Sequence, residues 1–266
     1  MTWSERMVVR DGVRLACRDW GRSKHQQSIV LLHGLAGHAG EWDVLARMLS
    51  SRYRVVAVDQ RGHGASERLP KDVSRAAYVT DVIAVVDQLA LQRPVLVGQS
   101  LGGHTAMLAA AAHPDVVRAL ALVEASPGGP NRNGPLDIGR WLDSWPTPFP
   151  SREAAVAFHG GGGGGPVGEG WAAGLEERDG GLWPRFNRDV MVNSLAENAQ
   201  RSFRREWAQV VCPTLVVLAE SSFTPTSARY GSGRVTMLVE EGDGTVDVQT
   251  TRFSAHTWER DGARTV

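Results

Sequence analysis

Short apolar runs alternate with runs of helical periodicity over the first 125 residues of the chain. Five runs of aliphatic and β-branched residues predict strands at 13–19, 28–33, 53–58, 94–98 and 117–123. Helices are predicted at 42–49, 78–89 and 101–112, the last stopping before a proline. Short apolar strands separated by helices are typical of a mostly parallel sheet covered on both faces, so the pattern predicts the α/β class.

Residues 127–209 have a different texture. They hold 15 of the 30 glycines and 5 of the 9 tryptophans, with six consecutive glycines at 160–165 and a helical stretch at 190–207. Strand patterns return at 214–218 and 234–239. We therefore predict a core formed by 1–126 and 210–266, with 127–209 inserted as a cap. The glycine run fits either a hinge of that cap or a surface loop that tolerates insertions.

Composition narrows the function classes. The 29 Lys and Arg balance the 29 Asp and Glu, which argues against a nucleic-acid partner. No apolar run is long enough to cross a bilayer, and the first residues lack a secretory signal pattern. Cys17 and Cys212 lie in apolar runs and indicate buried thiols in a reducing compartment. We expect a cytoplasmic protein without a membrane partner, and the sequence leaves its oligomeric state open.

The sequence Gly98-Gln99-Ser100-Leu101-Gly102 lies between a predicted strand and a predicted helix. A serine on such a sharp turn takes a strained backbone, and glycines two residues before and after relieve the crowding. Its hydroxyl is then presented at the carboxyl edge of the sheet, beside a helix N-terminus that favours a developing oxyanion. This pattern predicts a nucleophilic serine at Ser100.

Two further segments follow predicted strands. His33-Gly34-Leu35 provides a backbone N–H at Leu35 that would pair with that of Leu101 in an oxyanion hole. With DQRGHGAS at 59–66, GQSLGG at 98–103 and CPTLVV at 212–217, the chain resembles the α/β-hydrolase superfamily, in its capped esterase, lactonase and epoxide-hydrolase-like branch. The resemblance covers about residues 10–240. It implies a sheet of the eight-stranded type flanked by helices, with an inserted helical cap.

The resemblance also implies a nucleophile, an acid and a histidine, in that order along the chain. Ser100 matches the nucleophile. Many relatives carry an aspartate shortly after the strand at 214–218, where this chain has Glu220 and, at the aspartate position itself, Ser222. Other relatives carry the acid at the end of the preceding core strand, where Glu124 stands. A carboxylate at the tip of an apolar strand needs a partner, which favours Glu124, and Glu220 remains the alternative.

The histidine does not stand where the resemblance places it. Relatives carry it in a Gly-x-Gly-His turn after the last strand, and this chain has Thr245 at that place. Four histidines follow Ser100: His104 and His113 fit helix residues, His159 borders the glycine run, and His256 lies 11 residues beyond Thr245. His256 is our candidate base, with a tail histidine as the alternative.

The tail is unusual for such an enzyme. Only 7 of residues 240–266 are apolar, none of them Leu or Ile, so no closing amphipathic helix is predicted. A change of reading frame near Val239 or divergence within this lineage would each produce such a tail.

The function expected from these features is serine-dependent hydrolysis of a small ester, lactone or related acyl substrate through an acyl-enzyme. The nucleophile position holds a serine, and dehalogenase and epoxide-hydrolase chemistry needs a carboxylate there, so the sequence argues against these two reactions. No nucleotide-binding loop or metal-ligand spacing is present, so no cofactor and no metal are expected. The alternatives are a catalytically impaired hydrolase-fold protein and a cofactor-free lyase or perhydrolase on the same scaffold. The five cap tryptophans fit either a substrate pocket or a core.

Overall fold

The computed structural model describes residues 2–21, 27–128, 130–162, 164–219, 233–240, 246–253 and 264–265. The strands are β1 (Ser4–Arg10), β2 (Val13–Asp19), β3 (Ser28–Leu32), β4 (Arg54–Val58), β5 (Val95–Gln99), β6 (Ala119–Val123), β7 (Leu175–Arg178), β8 (Gly181–Pro184), β9 (Thr214–Ala219), β10 (Gly233–Glu240), β11 (Val246–Phe253) and β12 (Arg264–Thr265). The α-helices are α1 (Asp43–Leu49), α2 (Arg75–Gln88), α3 (Leu101–Ala112), α4 (Gly134–Asp143), α5 (Arg152–His159), α6 (Pro166–Ala172), α7 (Arg188–Asn193), α8 (Ala196–Gln200) and α9 (Arg204–Trp207).

Within these ranges, ten strands form one sheet in the order β1-β2-β4-β3-β5-β6-β9-β10-β11-β12. The six strands from β4 to β10 are parallel, and both edges are antiparallel. Adjacent strands of the parallel part carry fully buried apolar residues, such as Val30, Leu96, Leu122 and Val216. Burial on both faces explains why these strands are continuous apolar runs. The predicted α/β class with a mostly parallel sheet is confirmed.

The edges of the sheet contain strands that were not predicted. β1 pairs with β2 over its whole length, and β11 pairs with β10 from Glu240↔Val246 to Gly233↔Phe253. The sheet is therefore larger than the eight-stranded type that the resemblance implies. The tail carries mainly polar and β-branched residues, which suit an edge strand better than a helix.

The described part of residues 127–209 forms six α-helices and the β7–β8 hairpin, a pair of strands that the sequence pattern did not indicate. We call these residues the inserted segment because they lie in the chain between β6 and β9, which are neighbours in the sheet. The apolar side chains of the inserted segment pack into a cluster of their own around Trp145 and Phe149, and this cluster includes Ala36 from the loop after β3. Trp145 makes edge-on ring contacts with Trp141 and Trp171. These three tryptophans therefore pack against one another.

None of the helices in the described ranges is long and apolar enough to cross a bilayer.

Candidate active site

Ser100 lies on a sharp turn between β5 and α3. Its φ of +49° and ψ of −114° fall in a region that non-glycine residues rarely occupy, and its N–H donates to the Val123 carbonyl at 2.9 Å. A Cβ on Gly98 would lie 2.4 Å from the Gly102 carbonyl carbon, and one on Gly102 would lie 2.3 Å from the Leu32 carbonyl oxygen. The strand, turn and helix therefore pack too closely for any side chain at these two positions, as the sequence pattern predicted.

His33 holds the start of the loop that contains Leu35. Its Nε2 accepts the backbone N–H of Gln60 at 3.0 Å, which places the ring proton on Nδ1, where it donates to the Gly34 carbonyl at 2.7 Å. The Gln60 side chain donates to the His33 carbonyl at 2.7 Å. Burial lowers the pKa of His33 to about 3, so the ring is neutral and rigidly held.

His63 fixes the same loop from the other side. Its Nε2 accepts the N–H of Ala36 at 3.1 Å, and its Nδ1–H donates to the Arg61 carbonyl at 2.9 Å. Burial, and secondarily the neighbouring His33, lower the pKa of His63 to about 3. The two rings lie edge to face with centroids 4.9 Å apart. The histidines at 33 and 63 therefore act as scaffold for the Leu35 loop.

The remainder of the segment 59–66 also serves as scaffold. The Asp59 carboxylate accepts the N–H of Ala39 at 2.6 Å and that of Ala65 at 2.8 Å. The guanidinium of Arg61 makes two hydrogen bonds of 2.6 Å to the carboxylate of Asp81 on α2. These contacts join the segment to the loop after β3 and to a helix, which explains why so many polar residues are buried together.

Glu124 follows β6 at the same edge of the sheet as Ser100. The register pairs Gln99 with Val123, the last residues of the adjacent strands β5 and β6. Ser100 and Glu124, which follow these residues, are therefore neighbours at the end of the two strands. Glu124 also has a φ of +49°, and Ala36 in the loop after β3 has a φ of +61°. Three of the six non-glycine residues with positive φ in the described ranges thus lie at this edge, and strained backbone tends to collect at functional sites.

A cavity of about 340 Å³ opens beside Ser100. Leu35, Leu101 and Glu124 contribute to its core side, while the inserted segment contributes an apolar wall and polar groups. These residues of the inserted segment include Ile138, Leu195, Phe203, Asn131 and Asn198. The structure thus brings together Ser100, Glu124 and the two residues with candidate oxyanion amides. Glu220, Ser222, Thr245 and His256 lie outside the described residues.

His104, one turn after Ser100 on α3, lies in the wall of this cavity. Its ring packs edge-on against Phe203, with centroids 4.5 Å apart, and contacts the Asn198 amide at 3.4 Å. Burial, reinforced by the charges of Arg75 and Arg201, holds the pKa of His104 well below its usual range. His104 is thus a neutral wall residue, and it is the one histidine of the described chain that lines the cavity.

The sequence reasoning missed the polar part of the wall. Asn131 and Asn198 come from helices and loops of the inserted segment, whose composition is generic, and no local pattern marks them. Asn198 Oδ1 is buried and has no hydrogen-bond partner among the described residues. His159, in contrast, stacks on Trp171 at 5.1 Å within the apolar cluster and does not line this cavity. In the described ranges no group of three or more His, Cys, Asp or Glu could hold a metal ion.

Comparisons with known proteins find similarity of sequence over about half of the chain or less. Residues 27–156 match the family model of the alpha/beta hydrolase fold. The chain is 45 % identical over 104 residues to the sn-1-specific diacylglycerol lipase ABHD11 of Mus musculus. These residues are 38 % of this chain and 34 % of that protein. It is 44 % identical over 102 residues to the pimeloyl-(acyl-carrier protein) methyl ester esterase of Chromobacterium violaceum, 37 % of each chain.

The chain spans about a third to somewhat under half of the length of the curated relatives that it matches. The similarity of structure extends further. A solved structure of E-2-(acetamidomethylene)succinate hydrolase is similar with a TM-score of 0.75 and 25 % identity, over 85 % of this chain and 84 % of that one.

Proposed function

Because the chain belongs to the α/β-hydrolase superfamily, we propose that it is a serine hydrolase that cleaves a small ester, lactone or related acyl substrate. The observation that carries this proposal is the strained turn at Ser100, which opens into a cavity shared with Glu124, Leu35 and Leu101. Two of the relatives are a lipase and a methyl ester esterase, which supports an ester as the substrate class.

In the proposed reaction the Ser100 hydroxyl attacks the substrate carbonyl and forms a tetrahedral intermediate. The backbone N–H groups of Leu35 and Leu101 stabilise its oxyanion, and each such donor is typically worth about 10²–10³-fold in kcat. The intermediate expels the alcohol and leaves an acyl-Ser100 ester. Water then attacks this ester, which releases the acid and restores the serine.

The proton on Ser100 requires a base, and His256 is proposed for this role with Glu124 as the acid that orients it. Glu220 remains the alternative acid. The position of Glu124 beside Ser100, on a backbone with positive φ, supports the first choice.

We further propose that residues 127–209 act as the cap that selects the substrate. They supply one wall of the cavity and have an apolar cluster of their own. Cys17 and Cys212 are both free thiols, and burial raises the pKa of Cys17 to about 12, which suits the cytoplasm as the proposed location.

Covalent labelling tests the mechanism. A fluorophosphonate probe should label the wild-type chain, and Ser100→Ala should abolish labelling at an unchanged melting temperature. His256→Ala and Glu124→Gln should each slow both labelling and turnover of p-nitrophenyl acetate by about 10²-fold or more. Glu220→Gln serves as the matched control for the acid. A wild-type chain that is not labelled would overturn the proposal.

One sequence observation favours a second candidate, a catalytically impaired hydrolase-fold protein. Thr245 stands where relatives carry their histidine, and threonine cannot act as a base near neutral pH. In that case His256→Ala leaves labelling unchanged, and the residual activity is on the order of 10³-fold over water.

A further inference from the structure

Arg75 is buried beside the helix that follows Ser100. Its side chain is only 2 % exposed, and its Nη2 donates to the Leu101 carbonyl at 3.4 Å and to the Thr105 hydroxyl. The guanidinium lies over the ring of Tyr78 at 4.6 Å. Its Nε and Nη1 have no hydrogen-bond partner among the residues that the structure describes. A buried guanidinium is usually paired more fully than this.

Arg61 shows what a neutralised buried arginine looks like in the same protein. It is equally buried, and Asp81 accepts two hydrogen bonds from its guanidinium. Glu197 lies close to the backbone of Arg75: its Oε2 accepts the backbone N–H of Arg75 at 3.2 Å, and its Oε1 pairs with Arg201 at 2.9 Å. No hydrogen bond joins Glu197 to the Arg75 guanidinium in the described structure. Among the described residues, therefore, no carboxylate forms an ion pair with the Arg75 guanidinium, whereas Asp81 forms one with Arg61.

This placement is costly for folding. A buried charge without a full set of partners lowers stability, and a cation beside the first turn of a helix opposes the helix dipole. Burial lowers the pKa of Arg75 to about 10, so the group still carries its charge in the neutral range. Local stability alone does not explain a cation at this position.

We propose that Arg75 is a positioning residue for catalysis, whose charge strengthens the oxyanion site at the Leu101 N–H. This inference rests on the proposed serine mechanism. The guanidinium contacts the carbonyl of the same residue whose amide is the proposed donor. It is held there by Thr105 and Tyr78, and almost none of the Arg75 surface is accessible to solvent. A fixed charge in a region of low dielectric acts on a nearby anion far more strongly than it would in water.

The test compares Arg75→Met, which removes the charge, with Arg75→Lys, which keeps it. For p-nitrophenyl acetate, Arg75→Met should lower kcat by roughly tenfold to a hundredfold and change KM by less than about threefold. The affinity for a boronic acid inhibitor, which forms an anionic tetrahedral adduct on Ser100, should fall by a similar factor. Arg75→Lys should restore most of the kcat and most of the affinity for the boronic acid. Val86→Ala, a buried change on the same helix α2, should lower stability and leave kcat and boronate affinity unchanged.

A second pair of variants leaves the buried guanidinium in place. Glu197 and Glu206 both pair with Arg201, but only Glu197 also contacts Arg75. Glu197→Gln should therefore raise the rate of fluorophosphonate labelling by about twofold to tenfold relative to Glu206→Gln. If Arg75→Met does not fold, the comparison of these two glutamine variants tests the role of the Arg75 charge.

Equal boronate affinity in the wild type and Arg75→Met, or equal labelling of the two glutamine variants, would overturn the role of Arg75 alone. A wild-type chain that neither binds boronate nor reacts with fluorophosphonate overturns the serine mechanism and this proposal with it. Failure of Arg75→Lys to restore kcat and boronate affinity would reject the charge mechanism.

Discussion

The glycines around Ser100 are required by close packing of backbones. None of the three glycines at 98, 102 and 103 has a positive φ, so other residues could adopt their backbone angles. What excludes a side chain is the distance to neighbouring backbone, 2.3 Å to Leu32 and 2.4 Å to His33 in the case of Gly102. Neither carbonyl can move without disturbing β3 or the loop that holds Leu35. The closeness that excludes a Cβ also positions the amide of Leu101.

Gly102→Ala should therefore destabilise the protein by about 2–4 kcal/mol, since backbone atoms must shift to admit the methyl group. Gly170→Ala is the matched control, because Gly170 lies within α6 and a Cβ there meets nothing within 4 Å. That change should be neutral or stabilise by up to about 1 kcal/mol. Urea unfolding of the three proteins measures both values, and similar midpoints for the two variants would contradict the packing argument.

At the scale of elements, His38 joins the inserted segment to the core. It caps the short 3-10 turn Ala39–Trp42, where its Nδ1 accepts the Gly40 N–H at 3.1 Å. Its Nε2–H donates to the Gly170 carbonyl of α6 at 2.9 Å. A Cβ on Gly174 would lie 2.4 Å from the ring, so α6 and the core meet closely here. One side chain thus serves as a helix cap and as a link between two layers.

Variants of His38 separate these two roles. His38→Asn retains a capping side chain but is too short to reach Gly170, whereas His38→Ala loses both contacts. We expect faster amide hydrogen exchange in α6 for both variants, and faster exchange in residues 39–42 only for His38→Ala. Each lost contact should cost about 1 kcal/mol. Unchanged exchange in α6 would show that other contacts hold the segment in place.

For the whole molecule, buried histidines make stability depend on pH. The pKa values of His33 and His63 are lowered to about 3 in the folded state, from about 6.5 when unfolded. Since the fold favours the neutral rings, their contribution is complete above pH 6.5 and is lost as the pH falls from 6.5 towards 3. Each ring should cost about 2 kcal/mol by pH 5. Burial raises the pKa of Glu41 to about 7, and this opposes one histidine between pH 7 and 4.5.

Urea unfolding at several pH values between 6.5 and 5 tests this balance. His63→Gln should lower the slope of unfolding free energy against pH by up to about 1.4 kcal/mol per unit, the limit that is approached near pH 5. Glu41→Gln removes the opposing group and should steepen the slope by up to a similar amount. These changes have opposite signs, so a general loss of stability cannot imitate them. Parallel pH profiles for all three proteins would refute the assignment.

The periodicity of the chain determined the α/β class, because strands buried on both faces must be short, apolar and separated by helices. It also located the turn at Ser100, since the crowding that demands glycine is local. The edge strands β1, β11 and β12 were missed because such strands are defined largely by pairing with a neighbouring strand, and a local sequence pattern does not show that pairing.

Only the tertiary structure decided how distant segments meet at the edge of the sheet. It placed Glu124 next to Ser100 through the strand register and brought the polar cavity wall from the inserted segment. It assigned His33 and His63 to the scaffold, and it left Arg75 buried without a full set of partners. These features depend on contacts between residues far apart in the chain, and no local pattern of residues encodes such contacts.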